Sequence, residues 1–379
     1  MTLFLFTFFI IYGGMHLYAF LKAKAAFAFH ARRGVLIAVW MLIMIVTPVI
    51  IHVAENAGFE LFAIVMSYSG YTWMGVLFLF ICVSLVIDIY RLILYVAGSV
   101  MKKDVYLFMP PANLSFFIPL LISITIGIYG YFEARNIRTE RIVIKTSKIP
   151  EEFNGFKIVQ VSDVHIGLIV REGRLGKIFD IVKSENPDIL VSTGDLVDGQ
   201  IDNLQRLAEI FRQIKPGYGK FAVTGNHEFY AGLEQALNFT EKAGFTVLRG
   251  ESMEVAGIIY IAGVDDPAGK YYKNYNDVSE KELLEKLPRD KFIILMKHRP
   301  LVDEEAIGLF DLQLSGHVHK GQIFPFSLIT GLYYPAQAGF EKLTDISSLY
   351  VSRGSGTWGP PIRFLSPPEV TVIELISDM

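Results

Sequence analysis

Hydrophobic residues are distributed along the chain in two regimes. Up to about residue 133 they form long unbroken runs; beyond it they form short β-branched stretches separated by segments with one polar face. Four runs reach the roughly 20 residues that cross a hydrocarbon core at 1.5 Å per residue. They are Leu3 to Leu21, Val35 to Val53, Trp73 to Val96 and Leu114 to Phe132. No Lys or Arg precedes the first run and it is too long for a signal-peptide core, so it reads as a span. Leu61 to Met66 is apolar but too short to cross, and residues 54 to 72 are expected to be an interfacial segment.

After the fourth run the period changes. Lys157 to Val161, Ile189 to Ser192, Lys220 to Val223, Ile258 to Ala262, Phe292 to Met296 and Leu312 to Leu314 read as strands. Arg174 to Ser184, Leu204 to Gln213 and Leu233 to Ala243 place apolar residues three and four apart, as helices do. The chain therefore divides into a transmembrane region (1–135), a linker with a first strand (136–155) and an α/β domain (156–379).

Composition agrees with two dissimilar units. The 379 residues are 52% hydrophobic and 19% charged, with a mean hydropathy of +0.40, high for a chain that lives wholly in water. A net charge of -3 gives no basic surface, which argues against nucleic acid as a partner. The single cysteine, Cys82, excludes a disulfide framework and a thiolate metal site within the chain. Lys22, Lys24, Arg32 and Arg33 lie in the first loop and Lys102 and Lys103 in the third, whereas residues 54 to 72 hold no Lys or Arg. Basic short loops stay cytoplasmic, so four passes put the N-terminus and everything after Phe132 outside the cytoplasm. Arg135, Arg138 and Arg141 oppose this, but long domains translocate largely regardless of charge. Within the spans, Asp88 and Arg91 share a helical face and are expected to pair and snorkel, or else to mark a substrate path; His16 is expected to be a packed or interfacial histidine.

The chemistry gathers at strand ends. The stretch to Val161 runs into Asp163-Val-His165, and that to Ser192 into Gly-Asp195-Leu-Val-Asp198. Val223 leads into Gly-Asn226-His227-Glu228, Met296 into Lys-His298-Arg-Pro, and Leu314 into Gly-His317-Val-His319. All five histidines of this half, of eight in the chain, fall in these blocks. Any one block alone is as readily a turn or a capped helix; five in succession at the carboxyl ends of strands converge on one crevice. Carboxylate, amide oxygen and imidazole without thiolate suit Mn²⁺, Fe or Zn²⁺. Two such ions can neutralise an anionic phosphate and lower the pKa of water.

The blocks Asp-x-His, Gly-Asp-x-x-Asp, Gly-Asn-His-Glu, a lone His and Gly-His-x-His resemble those of the calcineurin-like metallophosphoesterases over roughly Phe156 to Val370. That resemblance implies a four-layer α/β/β/α sandwich behind the membrane helices and two divalent ions, manganese first. It implies that Asp163, His165 and His319 hold one ion, that Asn226, His298 and His317 hold the other, and that Asp195 bridges them. His227 would act on the leaving oxygen, Asp198 would support a neighbouring ligand, and Glu228 has no role that the spacing demands. Arg353 is a candidate phosphate contact, since guanidinium matches phosphate with two parallel hydrogen bonds. The membrane helices with Gly-His-Val-His-Lys-Gly-Gln and Trp358-Gly-Pro-Pro are similar to membrane-bound phosphodiesterase-like members, some of which cleave UDP-2,3-diacylglucosamine. Lys320 departs from the small residue common there. The expected activity is hydrolysis of a phosphodiester or pyrophosphate in a lipid or lipid-linked headgroup at the bilayer. The alternatives are a phosphatase or phosphodiesterase for soluble substrates such as nucleotides, and a non-catalytic receptor or scaffold retaining the fold.

Overall fold

The computed structural model describes residues 2–199 and 205–378. It divides into two units, Met1–Phe132 with Gly359–Ile362, and Glu133–Trp358 with Arg363–Met379. In the first, helices α1 (Thr2–Phe27), α2 (Ala31–Asn56), α3 (Glu60–Met101) and α4 (Leu114–Glu133) are each long and apolar enough to cross a membrane. Their outer faces leave Leu36, Val86 and Leu121 exposed, as a lipid solvent permits, while Tyr12, Ala19, Met41, Leu77 and Phe80 pack inside.

Residues 60–72, expected at the interface, instead open the 42-residue helix α3. No proline interrupts the segment, and no charged residue falls between Glu60 and Asp88, so nothing stops the helix. Asp88 also has other partners than expected: Tyr18 Oη donates to it at 2.6 Å, and Lys22 forms an ion pair with it. Both come from α1, so the contact joins two helices. His16 is packed, with Nδ1 2.8 Å from the Tyr12 carbonyl and Nε2 accepting from Trp73 Nε1 at 2.9 Å.

The second unit is built on two six-stranded sheets. One runs β1 (Arg138–Thr146), β12 (Glu369–Ser377), β2 (Phe156–Val161), β3 (Ile189–Ser192), β4 (Lys220–Ala222), β5 (Thr246–Val247). The other runs β10 (Gly339–Lys342), β11 (Ser348–Val351), β9 (Leu312–Ser315), β8 (Phe292–Met296), β7 (Ile259–Gly263), β6 (Glu251–Val255). Alternation along the strands sorts their side chains into layers. Phe156 and Ile158 of β2 face Ile259, Ile294 and Leu312 of the second sheet, whereas Val159 and Val161 face α5 (Glu172–Glu185), α6 (Gln205–Arg212) and α8 (Leu233–Lys242). On the far side, Ile293 and Leu295 pack against Leu283 and Leu284 of α9 (Glu280–Leu284). The result is the α/β/β/α sandwich. Each fully buried aliphatic side chain in these layers contributes about 1.5–3 kcal/mol.

In this unit the expected strands Ile189–Ser192 and Phe292–Met296 are met at both ends, the other expected strands and helices differ by no more than two residues at either end, and Leu204 lies outside the described residues. What matters for the site is direction: β2, β3 and β4 are parallel, as are β7, β8 and β9. Their carboxyl ends therefore gather at one edge of each sheet.

Candidate metal centre

Five loops leave those edges and bring their polar side chains together. Asp163 and His165 follow β2, Asp195 and Asp198 follow β3, and Asn226 and His227 open α7 (Asn226–Ala231) after β4. His298 follows β8, and His317 and His319 follow β9. His319 Nε2 lies 3.2 Å from Asp163 Oδ1 and 3.1 Å from His165 Nε2. His298 Nε2 lies 3.1 Å from Asp195 Oδ2 and 3.1 Å from His317 Nδ1. The same Asp195 oxygen is 3.8 Å from His165 Nε2, so one carboxylate stands between two histidine groups. Asp163, His165 and His319 form one cluster with donor atoms within 4.8 Å, and Asp195, His298 and His317 form another.

The backbone is bent to make this possible. Asp163, His165, Asp195, His317 and His319 all have left-handed φ values, between 49° and 70°, a region side-chain-bearing residues enter uncommonly. The loops also pass so closely that a Cβ on Gly225 would lie 2.2 Å from Asp195 Oδ1, and one on Gly316 2.0 Å from Ser162 Oγ. Glycine is required at both crossings.

These donors fit divalent cations. Asn226 Oδ1 is buried without a hydrogen-bond partner, an expensive state for an amide oxygen unless a ligand receives it. Imidazole nitrogens approach one another in pairs at 3.1 Å among buried carboxylates, a donor set of the kind that holds Mn²⁺, Fe or Zn²⁺. Burial would raise the Asp195 carboxyl, but His298, His227 and His165 more than reverse this and hold it well below the usual carboxylate range. Burial pushes His317 down to about 3, aided by the His298 charge, and His319 down to about 4 against the pull of Asp163. Both rings are thus neutral at physiological pH, with lone pairs available.

The sequence pattern of the calcineurin-like phosphoesterases matches residues 156–321. A metallophosphoesterase of Aquifex aeolicus is 42% identical over 259 residues, covering 68% of this chain and 98% of that protein. The chain is a calcineurin-like phosphoesterase. A transmembrane protein with a metallophosphoesterase domain from Danio rerio is 32% identical over 271 residues, spanning 68% of this chain and 62% of that one. A dimetal phosphatase structure from Danio rerio aligns over 53% of this chain and 88% of its own, with 12% identity and a TM-score of 0.37. With its four apolar helices and a transmembrane relative, this phosphoesterase is a membrane protein.

Around the cluster, the phosphoesterase places its supporting residues differently from expectation. Arg353 is turned to other partners: its Nε lies 2.6 Å from Glu369 Oε2 and its Nη2 pairs with Glu140. Carboxylates on β12 and β1 thus stand beside two of its guanidinium nitrogens, so Arg353 ties its loop to those strands. Arg299, next to His298, brings a cation near the centre. Its Nε and Nη2 donate to Asp266 at 2.8 and 3.0 Å, and its charge acts on His317, Tyr230 and Tyr334. Nothing in the motif spacing singled it out beyond its place after the lone histidine.

Two further residues emerge only in three dimensions. Arg363 is fully buried, donates to the carbonyls of Arg353 and Gly356 at 2.6 and 2.7 Å, and lies 3.0 Å from His319 Nδ1. Burial lowers its guanidinium to about 9. Glu228 accepts from the backbone N–H groups of Asp195, Leu196 and Gly225 at 3.0, 2.8 and 2.6 Å. Asp198 faces two histidines, its Oδ1 lying 3.3 Å from His165 Nδ1 and 3.1 Å from His227 Nδ1. Despite burial, Asp195 and Asp198 raise His227 to about 10. Lys320 is exposed in left-handed backbone.

Proposed function

We propose that this phosphoesterase hydrolyses a phosphodiester or pyrophosphate of a lipid or lipid-linked headgroup with two divalent ions, manganese first. Asp163, His165 and His319 would hold one ion, Asn226, His298 and His317 the other, and Asp195 would serve both. The observation that carries this reading is the Asp195 Oδ2 atom, 3.1 Å from His298 and 3.8 Å from His165. When bound, such ions neutralise phosphate charge and acidify an attacking water.

The chain's own residues supply the remaining steps. His227 Nδ1 lies 2.9 Å from the Asp198 carbonyl oxygen, which fixes the ring and its proton on that side; its raised pKa keeps the other nitrogen protonated as well, ready to pass a proton to the leaving oxygen. Arg299, braced by Asp266, keeps Nη1 outside that fork and contributes positive charge for a second phosphate oxygen. Arg299→Lys retains the charge beside Asp266 but cannot serve both sides, so KM is expected to rise about tenfold with kcat little changed; an unmoved KM excludes the contact.

Support for a lipid substrate comes from the four apolar helices carried by the same chain. We read them as four passes with the N-terminus and the hydrolase outside the cytoplasm. Protease added outside sealed cells should cut the hydrolase unit, and complete protection would reverse the orientation. The activity is tested with full-length protein stripped by chelator and resupplied with Mn²⁺, Fe²⁺ or Zn²⁺, on bis-p-nitrophenyl phosphate and on phosphate-bearing lipids. Metal-restored turnover with preference for a lipid is the expected result. Preference for nucleotides makes the helices a tether only, and no turnover with any ion points to a receptor.

A further inference from the structure

The chain leaves His319 along a segment that carries no charged residue from Gly321 to Phe340, yet much of it lies on the surface. Leu332 is 88% exposed, Leu328 66%, Tyr333 65% and Ile329 58%, and Phe324 and Phe326 are exposed beside them. Isolated surface hydrophobics are ordinary; six large ones within ten residues, without a charge among them, mark a surface that meets something apolar.

This strap is fixed in place. The Phe324 N–H donates to the Phe364 carbonyl at 3.1 Å, and the Phe364 N–H returns to Gln322 at 2.9 Å. Gln322 also clasps the Trp358 backbone, donating to its carbonyl and accepting from its N–H, both at 2.9 Å. A short helix, Phe326–Thr330, carries Leu328 and Ile329, and the Tyr334 N–H closes back on Thr330 at 2.8 Å. At its far end the strap returns to the metal centre, where the Tyr334 ring lies 5.3 Å from that of His317. The first end is thus held on the 358–364 segment and the far end lies beside His317, while the apolar middle faces outward.

We infer that residues 324–333 are an interfacial membrane contact, inserted among lipid headgroups and upper acyl chains so that a phosphate-bearing lipid reaches the metal centre sideways from the bilayer. The substrate part deepens the lipid reading above and rests on it; the insertion itself does not. The bilayer is the occupant because the same chain carries one with it. Only four residues join Glu133, the end of α4, to Arg138, the start of β1, a reach of about 14 Å when extended. The composition also fits: aliphatic side chains with Tyr333 and nearby Trp358, amphipathic rings that favour the headgroup level.

The test uses full-length protein in a Cys82→Ser background, with Leu332→Cys carrying an NBD fluorophore, in phosphatidylcholine and phosphatidylglycerol vesicles. Blue-shifted emission, quenched by at least about half by nitroxide lipids, is expected, with an NBD label at exposed Lys286→Cys unaffected. Water-like, unquenched emission overturns the proposal, as does a blue shift that nitroxide lipids leave unquenched, which means a second copy covers the strap. Leu328→Asp with Leu332→Asp should lower turnover of a phosphate lipid in vesicles about tenfold and spare bis-p-nitrophenyl phosphate; equal loss on both overturns the lateral route. Quenching without any lipid hydrolysis supports the insertion and counts against the lipid substrate alone.

Discussion

An Asp195→Asn enzyme is expected to lose at least about 1,000-fold in metal-dependent turnover while keeping its fold. The two forms have the same shape, and the amide oxygen can still accept the His227 N–H that now reaches Asp195 Oδ1 at 2.8 Å. The Glu228 bond to the Asp195 N–H is untouched, since it is made by backbone. What disappears is the negative charge standing between the His165 and His298 groups. A neutral amide would offer a divalent ion one weak oxygen in place of the carboxylate proposed to serve two, so at least one ion would be held loosely and phosphate charge would go uncompensated. A 1,000-fold loss corresponds to about 4 kcal/mol of transition-state stabilisation, within the range of a lost electrostatic contact in a dry site. Turnover at saturating Mn²⁺, bound metal per chain and near-UV circular dichroism decide the matter. Activity within about tenfold of wild type, with native spectra, removes Asp195 from the centre of the mechanism.

How much of this could be read from the chain alone follows from where the interactions lie along it. The candidate ligand blocks were legible because parallel strands deliver their carboxyl ends to one edge, so each block stands right after an apolar run, as Asp195 does after Ile189–Ser192. The membrane runs were legible because crossing a bilayer demands length without charge. Partnerships distant in sequence were not. Asp88 finds Lys22 66 residues away on another helix, and no pattern within α3 points to it. Arg353 likewise meets Glu140, 213 residues away, a partner that nothing around Arg353 in the sequence announces. The first sheet could not be ordered from sequence either, because β12, the last strand of the chain, sits between β1 and β2, parallel to one and antiparallel to the other.

Glu228 is where that limit has the largest consequence. Read as sequence it merely completes a block, yet its buried carboxylate holds the Gly-Asp loop and the Gly-Asn loop in one arrangement. One oxygen accepts from Asp195 and Gly225, the other from Leu196 and, at 3.4 Å, Val197, so Asp195, proposed to serve both ions, and the loop of Asn226 are positioned by the same side chain. Glu228→Ala leaves four N–H groups, that of Val197 the most distant at 3.4 Å, without that acceptor, each worth about 1–3 kcal/mol when buried and unpaired. A loss of about 4 kcal/mol is therefore expected, lowering the melting midpoint by roughly 8 °C or more. Glu228→Gln keeps one acceptor oxygen and turns two N–H donors toward the other position, so about half that cost is expected. Because the brace acts through Asp195 and Asn226, turnover and metal affinity should fall together in the order wild type, Gln, Ala, with the fold still present in Gln. A Glu228→Ala protein that melts within about 2 °C of wild type and binds metal as tightly would show that backbone alone holds the two loops.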